Sequence, residues 1–182
     1  MIPDERQVLS LHEKYGSSER VVAHCKTVAK ASMIMSDELV AKGRPVNADA
    51  ILAGALLHDI GRSRTHEVGH GWIGASILEE EGVDRIVVEI VRRHVGAGIS
   101  PQEAKTLGFP EGDYIPRTTE QMVVCFADKL VSSDSLRPLA EEVARFERKG
   151  HDVKRLLDLR KSLEDELGED PEKLVLKASI ES

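Results

Sequence analysis

Apolar residues recur every three or four positions along most of the chain, a spacing that places them on one face of an α-helix. The longest such stripe covers residues 21–39. It predicts a long helix that Ser17 or Ser18 caps and that ends at about Lys42, because Gly43 follows. The segments on either side have the same spacing, so the pattern favours an all-α fold.

Shorter helices are predicted before and after this one. Their predicted ranges are residues 4–15, 47–58, 70–81, 85–95 and 122–132, with one more that begins at Ser100. The start at Ser100 is the best marked, because a proline follows at the first helical position and Glu103 completes a capping box. Residues 107–117 hold two glycines and two prolines and are predicted to form a loop. No alternating apolar and polar stretch indicates a strand.

The pattern changes at Pro138. Beyond it, charged amphipathic segments carry four leucines at helical spacing: Leu156, Leu159, Leu163 and Leu167. We interpret residues 1–137 as the main domain and residues 138–182 as a helical C-terminal appendage of the same compact unit. The leucines are expected either to pack on the helical bundle or to mediate a homodimer.

The composition narrows the classes of function. The chain of 182 residues is 41% hydrophobic and 31% charged, which is typical of a globular protein. Its formal net charge of −7 argues against duplex nucleic acid or an anionic membrane as a partner, while a local basic pocket remains compatible with it. No apolar run approaches the ~20 residues that cross a membrane, and residues 1–6 lack the layout of a signal peptide, so a cytoplasmic location is expected. Cys25 and Cys125 form no CxxC pair and are expected to be small buried residues.

The candidate chemistry lies in imidazole and carboxylate side chains within apolar helices. His58-Asp59 ends one predicted helix, Asp128 interrupts another, and His24 lies on the edge of the long apolar stripe. A buried carboxylate needs a partner, and Lys129, although adjacent to Asp128 in the chain, is expected to point elsewhere and to be solvated. Taken singly, each residue has an ordinary interpretation as a core histidine or a surface pair. A divalent transition metal bound by all four is the simplest common explanation, because these ligands suit Fe, Mn, Co, Ni or Zn.

The order of these four side chains resembles that of the HD-domain superfamily of metal-dependent phosphohydrolases. The stretch His58-Asp59-Ile60-Gly61 resembles the HDIG form of its central motif. The resemblance covers about residues 16–136 and implies a helical bundle in which the four residues bind a metal ion. It also implies that a metal-activated water cleaves a phosphoester or phosphoanhydride. The implied substrate is a small phosphorylated molecule of the nucleotide type.

His70 and His94 extend the resemblance to the dinuclear branch of that superfamily. By that resemblance Asp59 bridges two ions and is the catalytic carboxylate. His24, His58 and Asp128 then complete one site, and His70 and His94 complete the other. The alternative is a one-metal enzyme in which His70 and His94 contact the substrate.

Three further side chains are candidate substrate contacts. Arg62 stands where HDIG members often carry lysine, and either cation binds a phosphate oxygen, although arginine does so as a planar fork. His66 and Lys129 are candidates too, and a solvated side chain is the ordinary interpretation of both. The Gly-Tyr-Pro signature of cyclic-dinucleotide phosphodiesterases is missing, which argues against that particular activity.

Two other functions stay open. Some proteins that resemble this chain in their six ligands are di-iron oxygenases, and the ligands alone do not separate oxygenase from hydrolase. A nucleotide-binding regulatory module that kept its metal but lost turnover is the third interpretation. The intact set of ligands argues against that module.

Overall fold

The computed structural model describes residues 1–181, and nearly all of its regular structure is helical. The helices are α1 (Glu5–Tyr15), α2 (Glu19–Ala41), α3 (Ala48–Leu57), α4 (His70–Glu80), α5 (Arg85–Arg92), α6 (Pro101–Thr106), α7 (Thr119–Lys129), α8 (Leu139–Lys149), α9 (Val153–Leu167) and α10 (Pro171–Glu181). A 3₁₀ helix spans Ile60–Ser63, and the antiparallel strands β1 (Val131–Ser132) and β2 (Ser135–Leu136) form a small hairpin. The predicted all-α fold is confirmed. None of the helices within residues 1–181 is both long enough and apolar enough to cross a membrane.

Side-chain caps fix several helix starts at the predicted places. The Ser18 hydroxyl accepts a backbone N–H from the first turn of α2, and the Asn47 side chain does the same for α3. At α6, Ser100 and Glu103 exchange the hydrogen bonds of the predicted capping box. These bonds satisfy donors that the first turn of a helix leaves unpaired, which is why the starts were readable from sequence.

Two predicted helix ends are wrong. The helix predicted over residues 122–132 ends with α7 three residues early, and the β1–β2 hairpin follows. Strands of two residues are too short to show an alternating pattern, so the pattern could not reveal them. The helix predicted to reach residue 95 ends with α5, because the His94 ring takes the Val91 carbonyl oxygen that the next turn would need.

One apolar core joins the helices before and after Pro138. Helix α9 packs against α2 and α7, and α10 packs against α2 and α9. The leucines of the predicted C-terminal stripe are all buried in that core: Leu156, Leu159, Leu163 and Leu167. These leucines therefore pack on the helical bundle. The division into a main domain and an appendage at residue 137 stays a prediction.

Candidate metal centre

Six side chains from separate parts of the bundle converge in one cluster. They come from α2, from the turn after α3, from the first residue of α4, from the loop after α5 and from α7. The six are His24, His58, Asp59, His70, His94 and Asp128. Their ligand atoms form three overlapping groups of three, and within each group the atoms lie within 4.8 Å of one another. The structure thus brings together all the metal ligands that the sequence predicted.

Gly61 allows the 3₁₀ helix to lie directly against α4. A Cβ atom at Gly61 would lie 2.0 Å from the carbonyl oxygen of His70 and 2.7 Å from the amide nitrogen of Gly74. No other residue fits there without moving the backbone. The sequence marked Gly61 only as the last residue of the HDIG-like stretch, whereas its position against α4 holds His70 beside Asp59.

All four imidazoles of the cluster have Nδ1 within 2.7–2.8 Å of a backbone carbonyl oxygen. The pairs are His24 with Ser133, His58 with Ala55, His70 with Glu67, and His94 with Val91. A carbonyl oxygen only accepts, so each Nδ1 carries the proton and donates it. In the neutral imidazole the lone pair then lies on Nε2, and the Nε2 atoms are the ones that face the carboxylates.

The Asp59 carboxylate lies between two pairs of imidazoles. Its Oδ1 is 3.2 Å from Nε2 of His70 and 3.5 Å from Nε2 of His94. Its Oδ2 is 3.8 Å from Nε2 of His58 and 4.0 Å from Nε2 of His24. Each oxygen therefore faces one half of the cluster, which is the geometry that a bridging carboxylate requires.

Asp128 completes one half of the cluster through a single oxygen. Its Oδ1 lies 2.9 Å from Nε2 of His24 and 3.5 Å from Nε2 of His58, while Oδ2 accepts from Nζ of Lys129 at 2.6 Å. The prediction that Lys129 points away and is solvated is wrong, because its side chain is only 6% exposed. Adjacent residues inside a helix point in different directions and do not pair. Because α7 ends at Lys129, its long side chain can nevertheless fold back onto Asp128.

Burial and neighbouring charges shift the ionisation of these groups. Burial, aided by the adjacent His94, lowers the pKa of His70 to about 3. Burial opposes the ionisation of Asp59, but the imidazoles of His58 and His94 outweigh it and lower the pKa of this carboxyl. In the same way, Lys129 and the imidazoles overcome burial and hold the pKa of Asp128 well below its usual range. The cluster therefore keeps two carboxylates beside a neutral His70 at neutral pH.

Two buried atoms of the cluster lack hydrogen bonds to any described residue, namely Nε2 of His58 and Oδ1 of Asp59. In addition, Nε2 of His70 lies 3.1 Å from Nε2 of His94. When both rings carry their proton on Nδ1, the two Nε2 lone pairs face and repel each other. Unpaired buried polar atoms are costly, and a cation compensates all three defects. The donor set of imidazole nitrogens and carboxylate oxygens fits a divalent transition metal.

Ser133 positions His24 from the turn of the β1–β2 hairpin. The backbone φ of Ser133 is 55°, which lies in the left-handed region. Among the described residues, all others with a positive φ are glycines. This backbone conformation accompanies the 2.7 Å hydrogen bond from Nδ1 of His24 to the Ser133 carbonyl oxygen. A strained residue at such a place indicates that the hairpin serves the site. The sequence predicted neither the hairpin nor this role.

Replacing Ser133 by valine is expected to destabilise the protein by about 1–2 kcal/mol, because a β-branched residue tolerates positive φ poorly. Ser133→Gly is expected to keep or slightly raise stability, since glycine adopts this conformation freely. Urea unfolding measures both. Ser135→Val in the extended strand β2 is the matched control, and an equal loss there would contradict the role given to the Ser133 backbone.

The cluster opens into a cleft of about 1080 Å³. Five of the six side chains line it, while His58 lies beneath the surface. The three predicted substrate contacts, Arg62, His66 and Lys129, line the cleft as well. Arg62 is already engaged, since its Nε donates to Oδ2 of Asp59 at 2.6 Å, and His66 is exposed. All three therefore remain within reach of a bound molecule.

Comparison with known proteins relates this arrangement to a described family. The family model named HD domain matches residues 21–132, a range that contains all six side chains. In the solved structures, the HD domain of the L. monocytogenes phosphodiesterase PgpH superposes with a TM-score of 0.62, covering 94% of this chain and 97% of that chain. At 16% sequence identity this likeness shows the fold alone.

Curated relatives of known name are longer than this chain. A tRNA (cytidine(56)-2'-O)-methyltransferase of Thermoplasma volcanium is 38% identical over 176 residues, which are 96% of this chain and 51% of that protein. A ribonuclease Y of Thermosipho melanesiensis is 31% identical over 155 residues, which are 83% of this chain and 24% of that protein. The chain therefore spans about half the length of the first relative and about a quarter of the second.

Proposed function

The chain belongs to the HD-domain family, and from that premise we propose that it is a metal-dependent phosphohydrolase acting on a nucleotide-type phosphoester. The convergence of four imidazole Nε2 atoms and two carboxylates is the observation that carries this proposal. A divalent cation held there supplies Lewis acidity and lowers the pKa of a bound water to near neutrality. The C-terminal helices from residue 138 onward are, in this proposal, an appendage of the same catalytic unit.

The ligand set supports two cations rather than one. His24, His58 and Asp128 form one half, His70 and His94 form the other, and Asp59 offers one oxygen to each. In the one-metal alternative, the lone pairs of His70 and His94 would face each other at 3.1 Å with only substrate to separate them. The identity of the metal among Fe, Mn, Co, Ni and Zn is left to measurement.

His70→Ala is expected to remove one of two metal equivalents per chain and to leave the half that contains His24 and His58. The reason is that His70 supplies a lone pair to one half only. Metal content by mass spectrometry, relative to protein concentration, measures the change. His66→Ala, an exposed histidine of the same cleft, is the control and should keep both equivalents. An unchanged metal count in His70→Ala would favour the one-metal enzyme.

Arg62 is assigned two roles in this proposal. Its Nε donates to Oδ2 of Asp59, which holds the carboxylate in the orientation that faces both pairs of imidazoles. The terminal guanidinium nitrogens make no hydrogen bond to a described residue, and the side chain is 31% exposed at the cleft. They are available to a phosphate oxygen, with which arginine forms strong charge-assisted bonds.

The cleft walls support a nucleotide-type substrate. Val68 and Leu107, both exposed apolar residues, line it together with Val95 and Ile99, and a nucleoside can cover such a surface. Cationic side chains line the same cleft and suit phosphate. The names of the tRNA methyltransferase and the ribonuclease add RNA, or a fragment of it, as a source of the nucleotide.

A metal-dependent turnover screen tests the function. The substrates are p-nitrophenyl phosphate, bis(p-nitrophenyl) phosphate, nucleoside monophosphates and short oligoribonucleotides, each with Mn, Fe, Co, Ni or Zn. We expect release of phosphate or nucleotide that a chelator abolishes. Oxygen uptake by the ferrous protein without any phosphoester cleavage would assign an oxygenase instead. Nucleotide binding without turnover under every metal would assign the regulatory module.

A further inference from the structure

A second, smaller pocket of about 280 Å³ adjoins the cleft. We call it the side pocket. The two cavities share part of their lining, including Lys129, Arg137 and Arg145. The side pocket therefore lies next to the cleft, with these three cations between the two cavities.

The side pocket is positively charged in a chain whose net charge is −7. Its lining contains four cations, Lys129, Arg137, Arg145 and Arg148, against two carboxylates, those of Glu141 and Glu142. Both carboxylates are engaged in ion pairs, since Arg137 contacts Glu141 at 3.3 Å and Arg145 contacts Glu142 at 2.9 Å. Arg148 makes no ion pair with any residue that the structure describes. Because Lys129 pairs with Asp128 at 2.6 Å, one positive charge, that of Arg148, remains without a partner among the described residues.

Lys129 forms the boundary between the metal centre and the side pocket. Its Nζ donates to the Asp128 carboxylate on one side, and its buried side chain lines the pocket on the other. A single residue thus separates a predicted metal ligand from the arginines of the side pocket. The charge of Lys129 is already paired at this boundary, since Nζ lies 2.6 Å from the Asp128 carboxylate.

We propose that the side pocket binds a second phosphate of the substrate while the first lies at the metal centre. This inference rests on the proposed phosphohydrolase function. Arg137 and Arg145 are the residues that recognise the second phosphate, because they line both cavities and are about half exposed. Two sources carry such a phosphate: a nucleotide chain, in which a nucleoside separates the phosphates, and the polyphosphate of a nucleoside diphosphate.

Binding of small ligands to the Mn²⁺-loaded full chain tests the proposal without requiring turnover. Calorimetry gives the affinities of AMP, adenosine 3′,5′-bisphosphate and ADP for the natural protein and for Arg137→Gln/Arg145→Gln. The control is Lys154→Gln/Lys161→Gln, which also removes two cations and breaks two exposed helical ion pairs, but on α9 outside both cavities. Both variants alter exposed side chains and are expected to fold.

In the natural protein, the preferred two-phosphate ligand is expected to bind roughly tenfold more tightly than AMP, the size of one charge-assisted contact at a partly exposed site. Preference for the bisphosphate identifies a nucleotide chain, and preference for ADP identifies a polyphosphate. The ratio should fall to about twofold or less in Arg137→Gln/Arg145→Gln and stay unchanged in the control.

Equal affinity of the natural protein for all three ligands would overturn the proposal. A ratio that survives in Arg137→Gln/Arg145→Gln, or that falls as far in the control, would overturn it as well. This experiment and the turnover screen can fail independently. If the protein shows the expected affinity ratios but cleaves no phosphoester, the phosphohydrolase function is wrong and the second phosphate site stands.

Discussion

Replacing Asp59 by asparagine is expected to empty both halves of the metal centre and to lower turnover by about a thousandfold or more. The two oxygens of Asp59 face different pairs of imidazoles, so one substitution weakens both sites. An amide keeps the shape but loses the charge, and its nitrogen cannot serve as a ligand. Metal content by mass spectrometry and turnover of the best substrate from the screen measure the two effects.

The matched control for Asp59→Asn is Asp158→Asn, which removes an exposed carboxylate from an ion pair on α9. That variant should keep its metal and its turnover. Thermal unfolding of both metal-free proteins should show that Asp59→Asn is folded, since it removes a buried charge rather than a packing contact. Full metal content in folded Asp59→Asn would refute the bridging role.

Gly61→Ala is expected to destabilise the protein by about 3 kcal/mol or more, which corresponds to a fall in Tm of roughly 6–12 °C for a chain of this size. The added methyl group would lie 2.0 Å from the carbonyl oxygen of His70 and 2.7 Å from the amide nitrogen of Gly74. Both neighbours are backbone atoms, so the 3₁₀ helix and α4 must separate. Because that movement carries His70 away from Asp59, metal affinity should fall together with stability.

Gly112→Ala provides the matched substitution for Gly61→Ala. A Cβ atom at Gly112 would meet only the Tyr114 ring, at 3.5 Å, which is an ordinary contact. Its Tm is therefore expected to change little. Calorimetric or fluorescence unfolding of the metal-loaded proteins compares the two. Equal stability of Gly61→Ala and the natural protein would mean that the 3₁₀ helix and α4 are not held as closely as described.

Much of the fold was readable from sequence because its signals are local. Ser18, Asn47 and Ser100 cap helices with their own side chains, so a few neighbouring residues determine each start. The proposed metal ligands could be predicted for a different reason. Carboxylates such as Asp59 and Asp128 are costly inside apolar helices, and that cost points to a cation even before the residues are known to meet.

The features that sequence could not predict depend on contacts between distant segments. The carbonyl oxygen of Ser133 fixes the His24 ring across more than a hundred residues, and nothing local marks that partner. Lys129 was expected to be solvated, yet it folds onto Asp128 because α7 ends there. The close approach of Gly61 to α4 likewise appears only once both elements are packed.

Anomalous diffraction from crystals of the metal-loaded protein tests the central claim most directly. Data collected on both sides of the absorption edge of the loaded metal locate that metal alone. We expect two peaks on either side of the Asp59 carboxylate, one about 2.0–2.3 Å from Nε2 of His24 and His58 and one at that distance from Nε2 of His70 and His94. A well-ordered crystal with no anomalous peak among these side chains would contradict the account.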